Sequence, residues 1–395
     1  MAESGSRSES TTIGIVGASA RAAIHSLARA GFEGWAVDLF ADRDLKQLAP
    51  CVTCPIATFP DALPILIADF PPGPVLYTGG LENHPNIISQ LASKRPLWGN
   101  LPVVLDRIRD PHFIQTIWKA DESTPKVIPP GDPAPNTGRW LRKPLRSSGG
   151  HGIRFAAPNE CASSSHYFQE FIEGSSLSAL FVSTWNEVDG DDQTQLLGIA
   201  EQVIGQQWLH ARPFAYCGNI GPIKLPGPVE VAIGRSGLAL SRATGLRGLW
   251  GLDFILNGDA AYPVEVNPRY TASIEVLELG AKFRSLMLHR DCFTQSHPLL
   301  KEYPRSSTTQ VGKAVYYAPY RIVFPISGPW DKDLDAAFDP WRVPNFADIP
   351  EPRTVIEFGS PILTLFAVGS STTECLKGLQ SRAVELDHLF AEATQ

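Results

Sequence analysis

The sequence predicts a mixed α/β protein in three parts. These are a parallel-sheet domain over residues 12–100, a central α+β domain over 101–295 and a small C-terminal α+β unit over 296–395. Three observations predict this. The chain opens strand–turn–helix–strand in GIVGASARAAIHSLARAGFEGWAVDLF, the pattern of a parallel βαβ unit. Its middle alternates apolar, β-like runs with glycine turns and ends in two runs, LWGLDFIL and YPVEVN, joined by Asn257-Gly258-Asp259. Its tail carries two more strand-like runs and one long helix with a single apolar stripe.

Composition agrees with such a protein. The length of 395 residues suits two or three domains, and 43% hydrophobic with 19% charged residues is ordinary globular usage. A net charge of −7 argues against a general nucleic-acid binder. No run approaches the roughly 18 apolar residues of a membrane span. The opening MAESGSRSEST is small and polar with no apolar core, so residues 1–11 read as a disordered arm and the protein as cytoplasmic. Six scattered cysteines, of which only Cys51 and Cys54 form a C-x-x-C pair, suit reduced thiols better than a metal or disulfide framework.

In the first part, Ile13 to Val16 reads as a strand, Arg21 to Ala30 as a helix ending at Gly31, and Trp35 to Leu39 as a second strand. A dinucleotide site with Asp38 on the ribose is the alternative use of this unit. Only Gly14 and Gly17 precede the helix, so that fingerprint is incomplete. Pro74 to Thr78 is another strand. Gly79, Gly80, Glu82, Asn83 and His84 follow at its carboxyl end, where open α/β sheets place ligands; a solvated loop is the plainer reading.

A Pro-rich connection, PKVIPPGDPAPNT, leads into the central part. There RWLRKPL reads as a strand carrying Lys143, followed by a loop of Ser147, Ser148, Gly149, Gly150, His151 and Gly152 and a strand from Ile153 to Phe155. Such a loop lets backbone N–H groups cradle phosphate oxygens, and the lysine adds a point charge. The Walker order is absent, and an ordinary hairpin loop would look similar. Next, YFQEFIEGSSL is a short strand with Gln169 and Glu170, then a turn at Gly174; its backbone and Phe171 or Ile172 could meet a flat base. The acidic NEVDGDDQ stretch reads as a surface turn between strands. Arg212 and Asn219, in HARPFAYCGNIG, fit either substrate contacts or an exposed loop, and Pro226 to Leu246 is helical.

The most informative segment is GLWGLDFILNGDAAYPVEVNPRY. Glu265 and Asn267, two apart, share one face of a strand, and Asp253 approaches that face from the neighbouring strand of a hairpin. Three hard oxygen side chains there suit Mg²⁺ (or Mn²⁺) held by carboxylates together with nucleotide phosphates. Solvated acids on an open hairpin face are the alternative. Arg247 is close in sequence to this hairpin and is expected near a transferring phosphate.

The strand-lysine-glycine loop, the Q-E-F-I-E-G segment and D…E-V-N-P-R occur in the order that resembles the ATP-grasp superfamily of ATP-dependent carboxylate–amine and carboxylate–thiol ligases. The resemblance covers roughly residues 100–290 and is specific in the combination of E-V-N-P-R with R-K-P-L-x-S-S-G-G-x-G. It implies a Rossmann-like parallel-sheet domain before a two-subdomain ATP-grasp, with ATP between the subdomains. By position it implies that Lys143 and the loop residues Ser147, Ser148, Gly149, Gly150 and Gly152 bind phosphate. Gln169, Glu170, Phe171 and Ile172 would line the adenine, and Ser176 would stand where an acid usually meets the ribose. Asp253, Glu265 and Asn267 would hold the metal, and Arg269, Lys143 and Arg247 would serve the transferring phosphoryl group. The additional nucleotide-binding lysine of many members has three counterparts here, Arg107, Arg109 and Lys119. Ser19, Arg21, Arg212 and Asn219 are nominated for substrate contacts.

Within the superfamily the pattern is closest to small-molecule ligases such as tyramine–glutamate ligase. This implies an acid–amine ligase with small-molecule carboxylate and amine substrates, a role in one-carbon cofactor biosynthesis, and the homodimer usual for such enzymes. An ATP-grasp kinase acting on a hydroxyl, and a non-catalytic ATP-binding protein, are the other readings.

Overall fold

The computed structural model describes residues 12–118, 123–161, 163–184, 193–294 and 308–392. Residues 1–11, Lys119 and the acidic turn at 185–192 lie outside the described residues, as do the expectations placed on them.

The first part is a four-stranded parallel sheet of β1 (Ile13–Val16), β2 (Gly34–Asp38), β3 (Cys51–Thr53) and β4 (Val75–Tyr77), in the order β3-β2-β1-β4. The helix Arg21–Ala30 crosses between β1 and β2 and ends at Gly31, whose φ of 80° is the left-handed cap that glycine adopts without strain. Gly14 is a packing glycine, since a Cβ there would sit 2.3 Å from the Trp35 ring. Asp38 is buried and accepts the backbone N–H groups of Ala20, Phe40 and Ala41. It ties the turn shut, which removes it as a ribose ligand.

The second layer is a small antiparallel sheet of β5 (Val127–Ile128), β6 (Trp140–Pro144), β7 (Arg154–Phe155) and β8 (His166–Glu170), ordered β5-β8-β6-β7 around Trp140 and Phe168.

The third is an eight-stranded sheet built from β9 (Ser175–Thr184), β10 (Gln193–Ile204), β11 (Tyr216–Gly221), β12 (Gly248–Asn257), β13 (Ala260–Asn267) and β14 (Gln310–Tyr317), completed from the tail. The tail also forms a two-stranded pair of β15 (Ile322–Val323) with β17 (Val355–Ile356), while β16 (Phe346–Ala347) and β18 (Pro361–Gly369) join the large sheet. Its order is β13-β12-β9-β10-β11-β14-β18-β16. The residues after 310, expected as a unit of their own, therefore extend the sheet that carries the Asp253–Glu265 hairpin.

β9 shows why this sheet holds. Ala179 and Phe181 pack with Val229, Ile233 and Leu240 of the helix Gly227–Thr244, whereas Leu180 and Val182 pack with Ile274 and Leu277 of the helix Ser273–Ala281. Both faces are covered, so the strand is apolar without alternation. The alternation turns polar at one end: Ser176 and Ser178 share the parity of Leu180, and Asp253 and Gln202 lie on the same face from β12 and β10. This polar end is the floor of a cleft.

The helix Thr372–Glu392 covers β14 and β18 with Cys375, Leu379, Ala383, Leu386 and Phe390. At its start Glu374 N–H donates to Ser371 Oγ and the Glu374 carboxylate accepts from Ser370 N–H, a capping box displaced by one residue.

A buried charge cluster joins the three parts. Arg21 pairs with Glu275 and Asp348, Lys313 Nζ donates to Glu275 Oε2 at 3.0 Å, and Arg29 pairs with Glu278. Arg21 is thus consumed in packing and is unavailable to substrate.

Candidate active site

The hairpin register places Asp253 directly opposite Glu265, and Gly251 opposite Asn267. Asn267 Nδ2 donates to Asp253 Oδ2 at 3.0 Å, and Arg269 Nη2 donates to Asn267 Oδ1 at 3.1 Å. Burial and the neighbouring Glu265 push the Asp253 carboxyl up to about 6, against hydrogen bonds from Ser178 and Gln202. Two carboxylates on adjacent strands thus raise the cost of ionising one of them, a cost that a cation between them relieves.

Lys143 enters from the small sheet. It is buried, and its Nζ donates to Gln169 Oε1 at 3.1 Å and to Val264 O at 3.3 Å. Burial lowers its pKa, but Tyr167, Glu265 and Asp253 outweigh that and hold the ammonium above the usual lysine value. Gln169 is therefore a support for Lys143, and both reach the backbone of β13.

The glycine loop is shut across the cleft. Tyr216 N–H donates to Gly149 O at 3.0 Å, and Asn83 Nδ2 donates to Ser147 O at 3.2 Å. Gly150 has φ 75°, and a Cβ there would lie 1.8 Å from Phe214 O, so only glycine fits.

Two cavities meet at Lys143, Gly150, Gln169 and Glu265. The larger, of about 1410 Å³ with its open mouth, is lined by Gly149, Glu170, Phe171, Ile172 and Ser176 at one end and by Asp253, Asn267 and Arg269 at the other. The smaller, of about 760 Å³, is lined by Ser147, Ser148 and Arg109. The proposed phosphate, base and metal residues are thus brought together, with two corrections. Arg247 does not face the cleft: just before β12 begins at Gly248, its Nε donates to Cys292 O at 2.7 Å and its guanidinium lies over Phe293. Gly152 lines neither cavity; with φ 77° it shapes the loop against Pro144.

Among the other nominees, Asn219 lines the cleft, while Arg212 and Ser19 are exposed. Arg109 is the cleft cation among the described pair from its segment, since Arg107 donates to Thr244 O instead. Sequence reasoning passed over Ser178, Gln202 and Thr271, which also line the cleft. Strand parity with Ser176 and Asp253 was the signal for the first two. Glu82 was named only as part of a loop; it is buried, and its Oε1 accepts from Arg269 Nε and Nη2 at 3.0 and 2.9 Å.

Residues 112–273 match the family model of the ATP-grasp domain. An uncharacterized protein of Methanocaldococcus jannaschii is 25% identical over 201 residues, which are 50% of this chain and 41% of that one. The chain therefore spans about two fifths of the length of that curated relative. The L-amino acid ligase of Bacillus licheniformis superposes with a TM-score of 0.68 at 15% identity, covering 95% of this chain and 97% of that one. The N5-carboxyaminoimidazole ribonucleotide synthetase of Thermus thermophilus gives 0.65 at 14%, covering 94% and 98%. The biotin carboxylase domain of Hydrogenobacter thermophilus 2-oxoglutarate carboxylase, solved with MgADP and bicarbonate, gives 0.67 at 12%, covering 91% and 86%. These likenesses carry the fold.

The ATP-grasp domain uses ATP with Mg²⁺, and the residues fit both. Among the described residues no group of three or more His, Cys, Asp or Glu gathers as a self-sufficient metal site. Two carboxylates and an amide suit a magnesium ion that arrives with phosphates as its remaining ligands. Asn267 Oδ1 has a second lone pair beside the one given to Arg269, so it can serve both.

Proposed function

We propose that this protein is an ATP- and Mg²⁺-dependent ligase that activates a carboxylate as an acyl phosphate and joins it to an amine on a small molecule. The observation that carries the reading is the meeting, in one cleft, of Lys143 and the shut glycine loop with Asp253, Glu265, Asn267 and Arg269. A carboxylate oxygen attacks the γ-phosphorus and ADP leaves; the amine nitrogen then attacks the acyl carbon and phosphate leaves. No nucleophilic side chain is required.

The work of the chain is positioning and charge compensation. Lys143, braced by Gln169 and Val264 O, presents a fixed positive charge to phosphate oxygens. Arg269, braced by Glu82, does so at the metal end. The loop of Ser147 to Gly152 keeps water from the acyl phosphate. Asp253, Glu265 and Asn267 would hold Mg²⁺, which supplies neutralisation of phosphate charge when bound.

The finer reading is an acid–amine ligase of one-carbon cofactor biosynthesis working in the cytoplasm as a homodimer, with residues 12–100 as the domain preceding the grasp. It is supported by the resemblance of the opening segment and of the Gly312-Lys313-Ala314 strand to tyramine–glutamate ligases. No described helix is long and apolar enough to cross a membrane.

The test is a screen of carboxylates and amines with ATP and Mg²⁺, read by phosphate release and by mass spectrometry. A condensed product formed only with both partners is expected. A phosphorylated hydroxyl compound formed without any amine would move the protein to the kinases and overturn the reading.

A further inference from the structure

The glycine loop after β6 lies mostly at the surface: Ser148, Gly149, His151 and Gly152 are exposed. Packing holds little of it, so its closed position depends on hydrogen bonds from outside. One is the main-chain bond from Tyr216 N–H to Gly149 O. Another comes from a side chain: Asn83 Nδ2 donates to Ser147 O at 3.2 Å, across 64 residues of sequence.

Asn83 stands on a rigid base. It ends the turn Leu81–Asn83 after β4, in which Leu81 and Glu82 are buried. Glu82 Oε1 accepts from Arg269 Nε and Nη2, and Arg109 Nη2 lies 3.3 Å from it. Arg269 in turn donates to Asn267 Oδ1. One short turn of the parallel-sheet domain therefore touches the loop through Asn83 and the far end of the cleft through Glu82. The Asn83 amide also has one workable orientation. Its Oδ1 is buried and makes no hydrogen bond, yet the reverse orientation would set that oxygen against Ser147 O, acceptor against acceptor. The donor faces the loop and the acceptor is left without a partner, a loss that the loop contact must offset.

We infer that Asn83 is a positioning residue that latches the glycine loop to the parallel-sheet domain and so keeps water from the cleft during the reaction. This rests on the ligase reading above and names what holds its site closed. With the latch broken the loop opens more often. Nucleotide then leaves faster, and water reaches the acyl phosphate. The water oxygen attacks the acyl carbon, the C–O bond to phosphate breaks, and the carboxylate, phosphate and a proton are released with no amide formed. A residue that only stabilised the turn would change neither the release of nucleotide nor the ratio of phosphate to amide.

The full chain is compared as wild type, Asn83→Ala and Asn83→Asp. Asn83→Asp keeps the shape of the side chain but turns an oxygen toward Ser147 O, beside the carboxylate of Glu82. Release of a fluorescent, non-hydrolysable ATP analogue with Mg²⁺ is followed by stopped flow. It is expected to be about three- to tenfold faster in Asn83→Ala, the worth of one side-chain hydrogen bond, and no slower than that in Asn83→Asp. Phosphate and amide are then measured with a carboxylate–amine pair that the wild type condenses. One phosphate per amide is expected for the wild type and an excess of phosphate for both variants, with unfolding midpoints near that of the wild type. Unchanged release in both variants overturns the inference and leaves the ligase reading standing. Faster release with phosphate and amide still one to one also overturns it, since water would be excluded without the latch. A wild type that binds the analogue but condenses no pair removes the ligase reading, and the release rates still decide whether Asn83 holds the loop.

Discussion

Asp253, half-buried, and Glu275, fully buried, are two carboxylates set into the same fold, and they behave oppositely. Glu275 is flanked by Arg21 and Lys313, which outweigh its burial and hold its carboxyl far below the usual range. Asp253 faces another acid, and burial with Glu265 pushes it up to about 6. Glu275 has its cations within the fold and joins the three parts of the chain. Asp253 and Glu265 face each other, and Lys143, Arg269 and Arg109 nearby leave the Asp253 carboxyl raised, which suits the proposal that this pair receives a metal-bound nucleotide. The same chemical group is a fastener in one place and, in the proposed reading, a metal ligand in the other. What separates them is whether the charge is already balanced.

That contrast can be broken most forcibly at the cleft. Glu265→Ala, and separately Asn267→Asp, should lower ATP-dependent phosphate release by roughly 10²–10³-fold or more while the unfolding midpoint stays near that of the wild type. Near-wild-type turnover in both would end the metal assignment. Glu275→Gln should do the reverse. Removing one partner from a buried ion pair costs about 3–5 kcal/mol, read as a fall in denaturant stability. A loss under about 1 kcal/mol would show that Glu275 is not the fastener described here.

A smaller effect is expected at the loop. Gly150→Ala meets Phe214 O and an unfavourable φ, at a cost of about 1–3 kcal/mol that the loop can meet by opening. The KM for ATP should rise with little change in unfolding.

The two acids also carry opposite pH signatures. The folded pKa of Asp253 is raised, so its contribution to the stability of the ligand-free protein is present below the unfolded value and is lost as pH rises through about 6. Over the same interval nucleotide–magnesium affinity should rise, because metal competes with the proton. The folded pKa of Glu275 is depressed, so its contribution is full above the unfolded value and fades as pH falls toward the folded one. Asp253→Asn should abolish the first trend and leave the second. The smallest change is expected for Arg247→Lys, whose side chain serves Cys292 O and Phe293; turnover should fall less than about threefold.

That Lys143, the glycine loop, Asp253, Glu265 and Asn267 meet in one cleft was legible because these residues lie on short contiguous runs. In E-V-N-P-R the two-residue period of a strand fixes Glu265 and Asn267 on one face, and the Asn257-Gly258-Asp259 turn sets Asp253 opposite. Lys143 and the glycine loop are equally local. The bracing of Arg269 by Glu82 was not legible, because the two are 187 residues apart. Nearness in sequence also misled at Arg247: it precedes the metal strand but points to the helix Ser285–Thr294. The strands after 310 were recognisable as strands, yet no local pattern announced that β14 pairs with β11. Arg21, at the start of the first helix, looked available because its partners Glu275 and Asp348 come from far along the chain.

The central claim is tested most directly by following ATP hydrolysis against amine concentration with a carboxylate partner present, and identifying the product by mass spectrometry. The account predicts phosphate release that requires both the carboxylate and the amine, one amide formed per ATP consumed, and loss of both in Glu265→Ala. ATP turnover that ignores the amine, with no amide formed by the wild-type protein, would contradict it.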